Sequence, residues 1–504
     1  MRPRLLLLLM LSSLPLSAAA NITQRLEQHC NDSDFSAASW GIYAVSLETG
    51  QPLVAYNANQ YFVPCSLLKL FTGAVALDRL GPGFTIRTSA YAEKRPDDYG
   101  TLKGNLYLYG RGDPTLLIHK QEGSKQGSLE ELADNLAATG VKRIEGDLIA
   151  DERFFYAPPH GLGWEWDDMQ YYYAPALSAL SVNQNVVSFE IQPGETIGST
   201  PTFTITPDVP YLSFENLLTT GKAGSPSSID DSFRAQGLHH LTLMGSIAID
   251  KERFKDRLPV PDPAAFTATI FKALLKEKGI TLTGKVRTLS WMEQNTYPKS
   301  YERFNELAWV ESPTLKDMID MAFTQSVINL YPELISLQIG EHYRQYTEDP
   351  SLRKARTNVL ARKALDEFLE AINIDPQDVV SQEGTGLARK TLIKPKTIGN
   401  LLSIMQGHPS FDYFYEALSF AGVDAFFKDR MVGTLAENNA RVKSGIMSFN
   451  YNMAGYLTTA AGEPIAFTIM LNNYNKKNKR WHPKDAIDAV AVMLAEIETR
   501  DTTN

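Results

Sequence analysis

The chain has 504 residues, of which 43% are apolar, 21% charged and 10% aromatic. This length exceeds what one hydrophobic core usually organises, so about two to three globular domains are expected. The net charge is −9 without a dense basic run, which excludes a sequence-independent nucleic-acid binder, because such proteins need a basic face.

The first twenty residues have the layout of a secretion signal. The basic start MRPR precedes the apolar run LLLLLMLSSLPL, and small residues end near Ala20. The run is too short for a good membrane span, and no later stretch has the length that a span requires. Residues 1–20 are therefore predicted to be a signal peptide, and the mature protein is expected to be exported and soluble, without a transmembrane segment.

The chain contains two cysteines, Cys30 and Cys65. In an exported protein they can form a disulfide, which would hold the N-terminal segment beside residue 65. The alternative is two unpaired thiols, of which one is buried. Both interpretations stay open from the sequence.

The predicted secondary structure changes along the rest of the chain. Residues 40–64 predict two strands around Gly50, and residues 66–80 predict a helix that is apolar on nearly all faces and therefore buried. Short strand-like segments from about 85 to 265 predict a β-rich insert. Helices are then predicted at roughly 262–279, 313–323, 330–343, 350–373 and 396–406, before strands in 441–474 and a closing amphipathic helix.

The N-terminal hairpin has too few strands to be stable alone, so it is predicted to join the C-terminal strands in one sheet. This predicts an α+β fold. One domain would combine residues 21–84 with 266–504, and the β-rich insert over 85–265 would interrupt it. An aromatic stretch within the insert, WEWDDMQYYYAP (164–175), is predicted to pack between the insert and the main domain.

A serine and a lysine lie three residues apart at the start of the predicted buried helix, as Ser66 and Lys69 in PCSLLKL. This spacing places them on one face, and a helix N-terminus favours negative charge developing at the serine. A buried lysine has a lowered pKa and can accept the serine proton. By itself, however, the pattern more often marks an ordinary helix start.

A second motif, RVKSGIM, begins a predicted strand with Lys443, Ser444 and Gly445. The lysine and the hydroxyl can hold a carboxylate, and the glycine lets a substrate backbone approach the strand. Alone, the triplet is more often part of a turn. An S-x-x-K helix together with a K-[ST]-G strand is the pattern of serine acyl-transfer enzymes that bind penicillin.

With both motifs, the chain resembles the penicillin-binding D-alanyl-D-alanine carboxypeptidases/endopeptidases of the low-molecular-mass class C type. The resemblance extends over about residues 35–495 and includes YGRGDPTL, GDLIADERFF, YAPALSALSVNQN and EGTGLARKTLIKP, in the family's order. It implies a serine β-lactamase/DD-peptidase-like catalytic domain, in which helices flank an antiparallel sheet, and an insert of two small nested domains. It also implies a periplasmic protein without metal or cofactor, whose partners are peptidoglycan stem peptides and β-lactams.

The resemblance implies roles for individual residues. The catalytic residues would be Ser66, Lys69 and Asn329. The substrate-binding residues would be Lys443, Ser444, Gly445 and Arg389. For Arg389, in the Gly-rich stretch EGTGLAR, a structural ion pair is an equally good interpretation. The oxyanion hole would combine the Ser66 N–H with a strand N–H near Ile446 or Met447.

Two positions depart from the family pattern. Val327, in QSVINLYPEL, stands where the family has a serine that relays protons, and Ser326 lies one residue early. Ile446 stands where the family has a hydroxyl beside the terminal carboxylate of the substrate. Because the other motif residues are present, a serine DD-peptidase is expected. Because of these two departures, the alternative is a catalytically impaired or inactive relative that serves as a peptidoglycan-binding or scaffold protein. A β-lactamase is less favoured, because the long insert resembles the peptidases.

Overall fold

The computed structural model describes residues 18–32, 34–230, 239–325, 328–424, 426–475 and 482–499, so most of the predicted signal peptide lies outside the described residues. The helices are α1 (Ala18–Asp32), α2 (Leu68–Arg79), α3 (Leu129–Ala138), α4 (Pro263–Glu277), α5 (Leu315–Thr324), α6 (Leu330–Tyr346), α7 (Thr357–Ala371), α8 (Pro395–Met405), α9 (Phe411–Glu416) and α10 (Pro483–Ala495). The strands are β1 (Ser39–Ser46), β2 (Pro52–Tyr56), β3 (Arg87–Ala92), β4 (Thr101–Lys103), β5 (Leu106–Tyr109), β6 (Arg143–Glu145), β7 (Leu148–Asp151), β8 (Val186–Gln192), β9 (Thr202–Thr206), β10 (Ser213–Asn216), β11 (Thr219–Gly221), β12 (Ser228–Asp230), β13 (His240–Ala248), β14 (Phe254–Pro259), β15 (Thr281–Leu282), β16 (Val286–Leu289), β17 (Asn305–Glu311), β18 (Val379–Val380), β19 (Leu392–Ile393), β20 (Ser419–Phe420), β21 (Arg441–Met447), β22 (Asn450–Thr458) and β23 (Pro464–Asn472).

The main sheet combines the two ends of the chain. Its six strands are antiparallel in the order β2-β1-β23-β22-β21-β20. Every residue of β1 pairs with β23, so the predicted association of the N-terminal hairpin with the C-terminal strands is confirmed. Along β1, Ile42 and Ala44 pack with α1 and α10 on one face, while Tyr43 and Val45 pack with α2 and α8 on the other. This alternation is the period of two that a strand imposes.

The helix that follows Ser66 is buried as predicted. Residues 68–77 of α2 are all buried, and α5, α6, α7 and α9 pack around it. A helix of this length that is apolar on all sides and too short to span a membrane is expected in a protein core, so the sequence pattern predicted this burial directly. The helix ends before Gly81, whose φ of +79° is a left-handed conformation that glycine adopts without strain.

The insert contains two groups of sheets. The first has a five-stranded sheet in the order β16-β7-β5-β3-β17 and a three-stranded sheet, β15-β6-β4, with α3 and α4 packed beside them. The second lies between residues 186 and 259 and contains the sheets β14-β8-β9 and β10-β13-β11, with β12 paired to β13. The second group is thus nested in sequence within the first.

The end of the insert differs from the predicted boundary at residue 265. α4 contributes Phe266, Phe271 and Leu274 to the core of the insert, and β16 and β17 pair with β7 and β3. The insert therefore ends near Glu311. Helical periodicity after residue 262 suggested a return to the main domain, but periodicity cannot say which core a helix packs against.

The possible disulfide is not formed, because Cys30 and Cys65 are both free. Cys30 is buried in the core between α1 and the main sheet. Cys65 is fully buried at the start of the Ser66 turn, where the Asn452 amide lies 3.5 Å from its sulfur. The two thiols thus belong to different packing environments.

Candidate active site

Ser66 lies in a single 3-10 turn, Cys65–Leu67, that leads directly into α2. Two buried asparagines of the main sheet hold the chain just before this turn. Asn452 donates through Nδ2 to the carbonyl of Val63 at 3.0 Å, and Asn472 accepts the Val63 N–H at 2.7 Å through Oδ1. These hydrogen bonds connect the serine turn to β22 and β23.

Lys69 lies three residues after Ser66 and has no exposed surface. Burial lowers its pKa to about 7, although the charge of Glu383 acts in the opposite direction. A lysine with this pKa is substantially neutral near neutral pH, so it can accept a proton from a neighbouring hydroxyl.

A second buried lysine lies on β21. Lys443 is 2% exposed, and its Nζ donates to the Ser444 carbonyl at 2.9 Å. Burial and the charge of Lys69 together hold the pKa of Lys443 well below its usual value. Because two neighbouring buried cations repel each other, the charge states of the two lysines depend on each other.

A cleft of about 350 Å³ opens beside Ser66. Alternate residues of β21, namely Val442, Ser444 and Ile446, line one wall, as the strand period requires. In the part of the chain that the structure describes, β20 pairs with β21 only through Arg441 and Val442, so the rest of this edge has no partner strand. An open strand edge can accept an extended peptide backbone.

Gly445 lets β21 approach the serine turn closely. A Cβ at this position would lie 2.5 Å from the Pro64 carbonyl oxygen and 3.2 Å from the Leu67 nitrogen. From the sequence, this glycine was expected to let a substrate backbone approach. In the structure, the backbone that comes close is the protein's own.

Asn329 lies at the N-terminus of α6, is 5% exposed and lines the cleft. Its Nδ2 donates to the carbonyl of Tyr173 at 3.0 Å. The predicted aromatic stretch of the insert thus contacts the site. Ser326 and Val327 lie outside the described residues. These are the residues at and next to the position where the family has a proton-relaying serine.

Arg389 lies at the rim of the cleft. Its Nε donates to the Glu165 carboxylate at 2.9 Å, and its Nη1 donates to the Ser448 carbonyl at 3.1 Å. Arg389 therefore forms an ion pair, as one of its two interpretations from the sequence expected. The same side chain also borders the space beside Ser66, so the ion pair does not remove it from the substrate path.

Glu383, the first residue of the EGTGLAR stretch, is a residue of the site that the sequence did not predict. It is 8% exposed, and its carboxylate acts electrostatically on Lys69. Further along this stretch, Gly386 has a φ of +82°, and a Cβ on it would lie 1.8 Å from the Cys65 carbonyl oxygen. The two glycines of the motif indicated a turn, but no sequence signal showed that the turn packs on Ser66.

A second buried acid, Glu333 of α6, lies on the other side of this turn. Its Oε2 accepts the Gly384 N–H at 2.6 Å. Burial, with the charge of Glu383 adding to it, raises the pKa of Glu333. The proton on Glu333 therefore relieves the repulsion between two neighbouring carboxylates.

The structure thus brings the predicted residues together. Ser66, Asn329, Ser444 and Arg389 line one cleft, while Lys69 and Lys443 are buried beside it and Gly445 packs against the serine turn. Within the described ranges, no group of three or more His, Cys, Asp or Glu side chains is arranged to hold a metal ion. None of the helices in these ranges is long and apolar enough to cross a membrane.

Comparison with known proteins gives consistent matches along the chain. The D-alanyl-D-alanine carboxypeptidase of Actinomadura sp. strain R39 is 28% identical over 476 residues, which are 92% of this chain and 82% of that protein. The crystal structure of penicillin-binding protein 4 from Haemophilus influenzae has a TM-score of 0.79 at 23% identity, and the match covers 95% of this chain and 99% of that one. The same protein in complex with a β-lactam has a TM-score of 0.72 at 21% identity, with coverage of 93% and 97%. These structures confirm the predicted α+β fold.

A family model for D-Ala-D-Ala carboxypeptidase 3 (S13) matches residues 22–497. This range includes both parts of the main sheet, the insert and every residue of the candidate site. The chain therefore belongs to the D-Ala-D-Ala carboxypeptidase 3 (S13) family.

Proposed function

We propose that this protein is a serine peptidase that hydrolyses D-alanyl-D-alanine bonds in peptidoglycan stem peptides through an acyl-enzyme at Ser66. Membership of the family supports the reaction class. The observation that carries the assignment to Ser66 is its position on the cleft, three residues before a buried lysine with a pKa of about 7.

In the proposed mechanism, neutral Lys69 takes the hydroxyl proton as Ser66 Oγ attacks the carbonyl carbon of the penultimate residue. The resulting oxyanion accepts hydrogen bonds from the Ser66 N–H and from an N–H of β21 near Ile446 or Met447. The C–N bond then breaks, and the amine leaves with the proton that Lys69 carried. Water, deprotonated by the same lysine, hydrolyses the ester and regenerates Ser66.

Substrate binding is proposed to use the edge of β21. The extended peptide would lie along the part of this strand that has no partner strand within the described chain, with the Ser444 hydroxyl beside it. Asn329, fixed by the Tyr173 carbonyl, would bind the peptide from the opposite wall. Lys443, whose Nζ donates to the Ser444 carbonyl, would hold this part of the strand in place beneath the peptide.

β-Lactams are proposed to acylate the same serine, because ring opening consumes the same nucleophile and base. The Haemophilus influenzae protein of the same fold, solved with a bound β-lactam, supports this proposal. A periplasmic location is part of the proposal, since the substrate lies outside the cytoplasm. The observations on the site do not favour the non-catalytic alternative.

The decisive experiment is labelling with a fluorescent penicillin, followed by mass spectrometry of the labelled peptide. We expect one covalent adduct per chain, located on Ser66 and absent from Ser66→Ala. The Cys65→Ser variant is the control, since its thiol is the adjacent nucleophile, and it should retain the adduct. A protein that forms no adduct on Ser66 across the pH range in which it is folded contradicts the proposed function.

A further inference from the structure

Glu383 is held in one orientation by several donors. Its Oε1 accepts the Gly386 N–H at 2.7 Å, and its Oε2 accepts the Thr385 N–H at 2.9 Å. The indole N–H of Trp164, from the insert, donates to Oε2 at 3.3 Å, and the Thr385 hydroxyl also donates to this oxygen. A carboxylate with this many donors is held in a defined position.

The turn that Glu383 organises lies directly against the nucleophile. Gly386 is so close to the Cys65 carbonyl that an added Cβ would lie 1.8 Å from the oxygen and 3.2 Å from the Ser66 nitrogen. A change in the 383–386 turn is therefore transmitted to the backbone of Ser66. The N–H of Ser66 is one of the two donors in the proposed oxyanion hole.

Besides the Cys65 thiol, four buried titratable groups share this region: Lys69, Lys443, Glu333 and Glu383. The carboxylate of Glu383 raises the pKa of Lys69, whereas the charge of Lys69 lowers that of Lys443. Glu383 also raises the pKa of Glu333. The hydroxyl of Thr72, three residues after Lys69 on α2, donates to the Gly384 carbonyl at 2.7 Å, so the turn that carries Glu383 also packs on the helix of Lys69. The charge on Glu383 thus acts on both Lys69 and Glu333.

We propose that Glu383 is a positioning residue for acyl transfer: its carboxylate fixes the 383–386 turn against Ser66 and places a negative charge toward Lys69. This inference rests on the proposed roles of Ser66 and Lys69. It assigns two separable effects to one side chain, because the hydrogen bonds require the carboxylate's position while the electrostatic effect requires its charge.

The charge is tested by Glu383→Gln, which keeps the shape of the side chain. Lysine labelled with ¹³C at Cε reports the titration of Lys69 by NMR, and the resonance is assigned by its loss in Lys69→Arg. We expect the Lys69 pKa to fall by about one pH unit in Glu383→Gln. The acidic limb of the rate of acylation by penicillin should move to lower pH by the same amount, because a less basic lysine is neutral at lower pH.

The position is tested by Glu383→Asp, which keeps the charge but withdraws the carboxylate from the turn. We expect the Lys69 pKa to stay within about 0.3 units of its original value, while the acylation rate on the plateau falls by about tenfold. Glu152→Gln, at a partly buried carboxyl group in the insert that accepts the Ser178 hydroxyl at 2.6 Å, is the matched control. It should change neither readout.

The two variants keep the inference testable even if one of them fails to fold. An unchanged Lys69 pKa in Glu383→Gln overturns the electrostatic role, and an unchanged plateau rate in Glu383→Asp overturns the positioning role. The NMR titration requires no turnover. The absence of a Ser66 adduct in the unsubstituted protein would therefore contradict the proposed function alone, and the titration would still decide whether Glu383 controls the lysine.

Discussion

Lys69 has no contact with solvent, and the charge of Glu383 opposes the effect of this burial on its pKa. Desolvation disfavours an ammonium ion strongly enough to lower the pKa of a lysine by several pH units. One nearby carboxylate raises this pKa again by part of that amount. The outcome is a lysine whose pKa of about 7 suits the proposed proton transfer near neutral pH. The chemistry at this residue is therefore controlled by burial more than by any single partner.

This pKa predicts the pH dependence of acylation. Lys69 must be neutral to accept the serine proton, and it is protonated below its pKa, so acylation should slow as the pH falls through about 7. We expect the second-order rate constant for penicillin to fall about tenfold per pH unit on this limb. Stopped-flow labelling between about pH 5.5 and 8.5, with tryptophan fluorescence as a check on folding, measures it. A rate independent of pH would exclude Lys69 as the base.

The close packing of Gly386 leads to a second prediction about a single residue. In Gly386→Ala, the side chain meets both a left-handed backbone with a φ of +82° and the Cys65 carbonyl oxygen. We expect a loss of about 3 kcal/mol or more in the free energy of unfolding, measured by urea denaturation, and a lower acylation rate.

The matched control is Gly81→Ala. Gly81 has nearly the same φ, +79°, but an added Cβ would meet no atom within 4 Å. Its cost should be limited to the backbone strain, about 1 kcal/mol. Equal losses in the two variants would mean that close packing at Gly386 contributes nothing.

Among the helices and strands, β21 contributes the most residues to the lining of the cleft. Its two faces have different surroundings. One face presents Val442, Ser444 and Ile446 to the cleft, while Lys443 is buried and Gly445 packs on the serine turn. Ile446 is 40% exposed and faces the space beside Ser66. An apolar side chain there offers no hydrogen bond to a charged group of a ligand.

Ile446→Thr should therefore change substrate preference. By analogy with the family pattern, the added hydroxyl can donate to the terminal carboxylate of a stem peptide. A hydrogen bond to a charged group is worth about 1.5 kcal/mol, so we expect roughly a tenfold gain for a D-alanyl-D-alanine peptide over its C-terminal amide. Mass spectrometry of the released products measures this ratio, and Ile446→Val is the control that adds no hydroxyl. A ratio that is the same in Ile446→Thr and the unsubstituted protein would show that this position does not contact the carboxylate.

At the scale of the whole molecule, the insert helps to support the candidate active site. Phe155, Ala157, Trp164 and Leu177 from the insert lie in the same apolar core as α2 and α6. The indole of Trp164 also bonds the Glu383 carboxylate. The insert therefore stabilises the turn that packs on Ser66.

We expect Trp164→Ala to lower the free energy of unfolding by about 3–5 kcal/mol, because it removes a large buried side chain. It should also reduce acylation by penicillin, because Glu383 loses a donor. Trp166→Ala is the matched control, since Trp166 is 80% exposed and its loss should change stability by no more than about 0.5 kcal/mol. Similar stability losses in the two variants would contradict the supporting role of the insert.

The features that were predictable are those that depend on local patterns. The S-x-x-K spacing, the buried apolar helix after it and the alternating strands each impose a period that is visible in neighbouring residues. The end of the insert was predicted wrongly, because α4 has the same helical pattern whichever core it packs against. Glu383 was not predicted for a related reason. An acidic residue in a Gly-rich turn is usually exposed to solvent, and only the tertiary packing shows that this one is buried.

The sequence by itself determined the family resemblance, the α+β class and the choice of Ser66 and Lys69 as the proposed nucleophile and base, because motif spacing and hydrophobic periodicity are encoded along the chain. The tertiary structure alone decided that Cys30 and Cys65 are apart, that Arg389 is ion-paired and that Glu383 acts on Lys69. These are relations between residues separated by up to hundreds of positions. Burial and distance set them, and both arise only when the main sheet, the helices and the insert pack together.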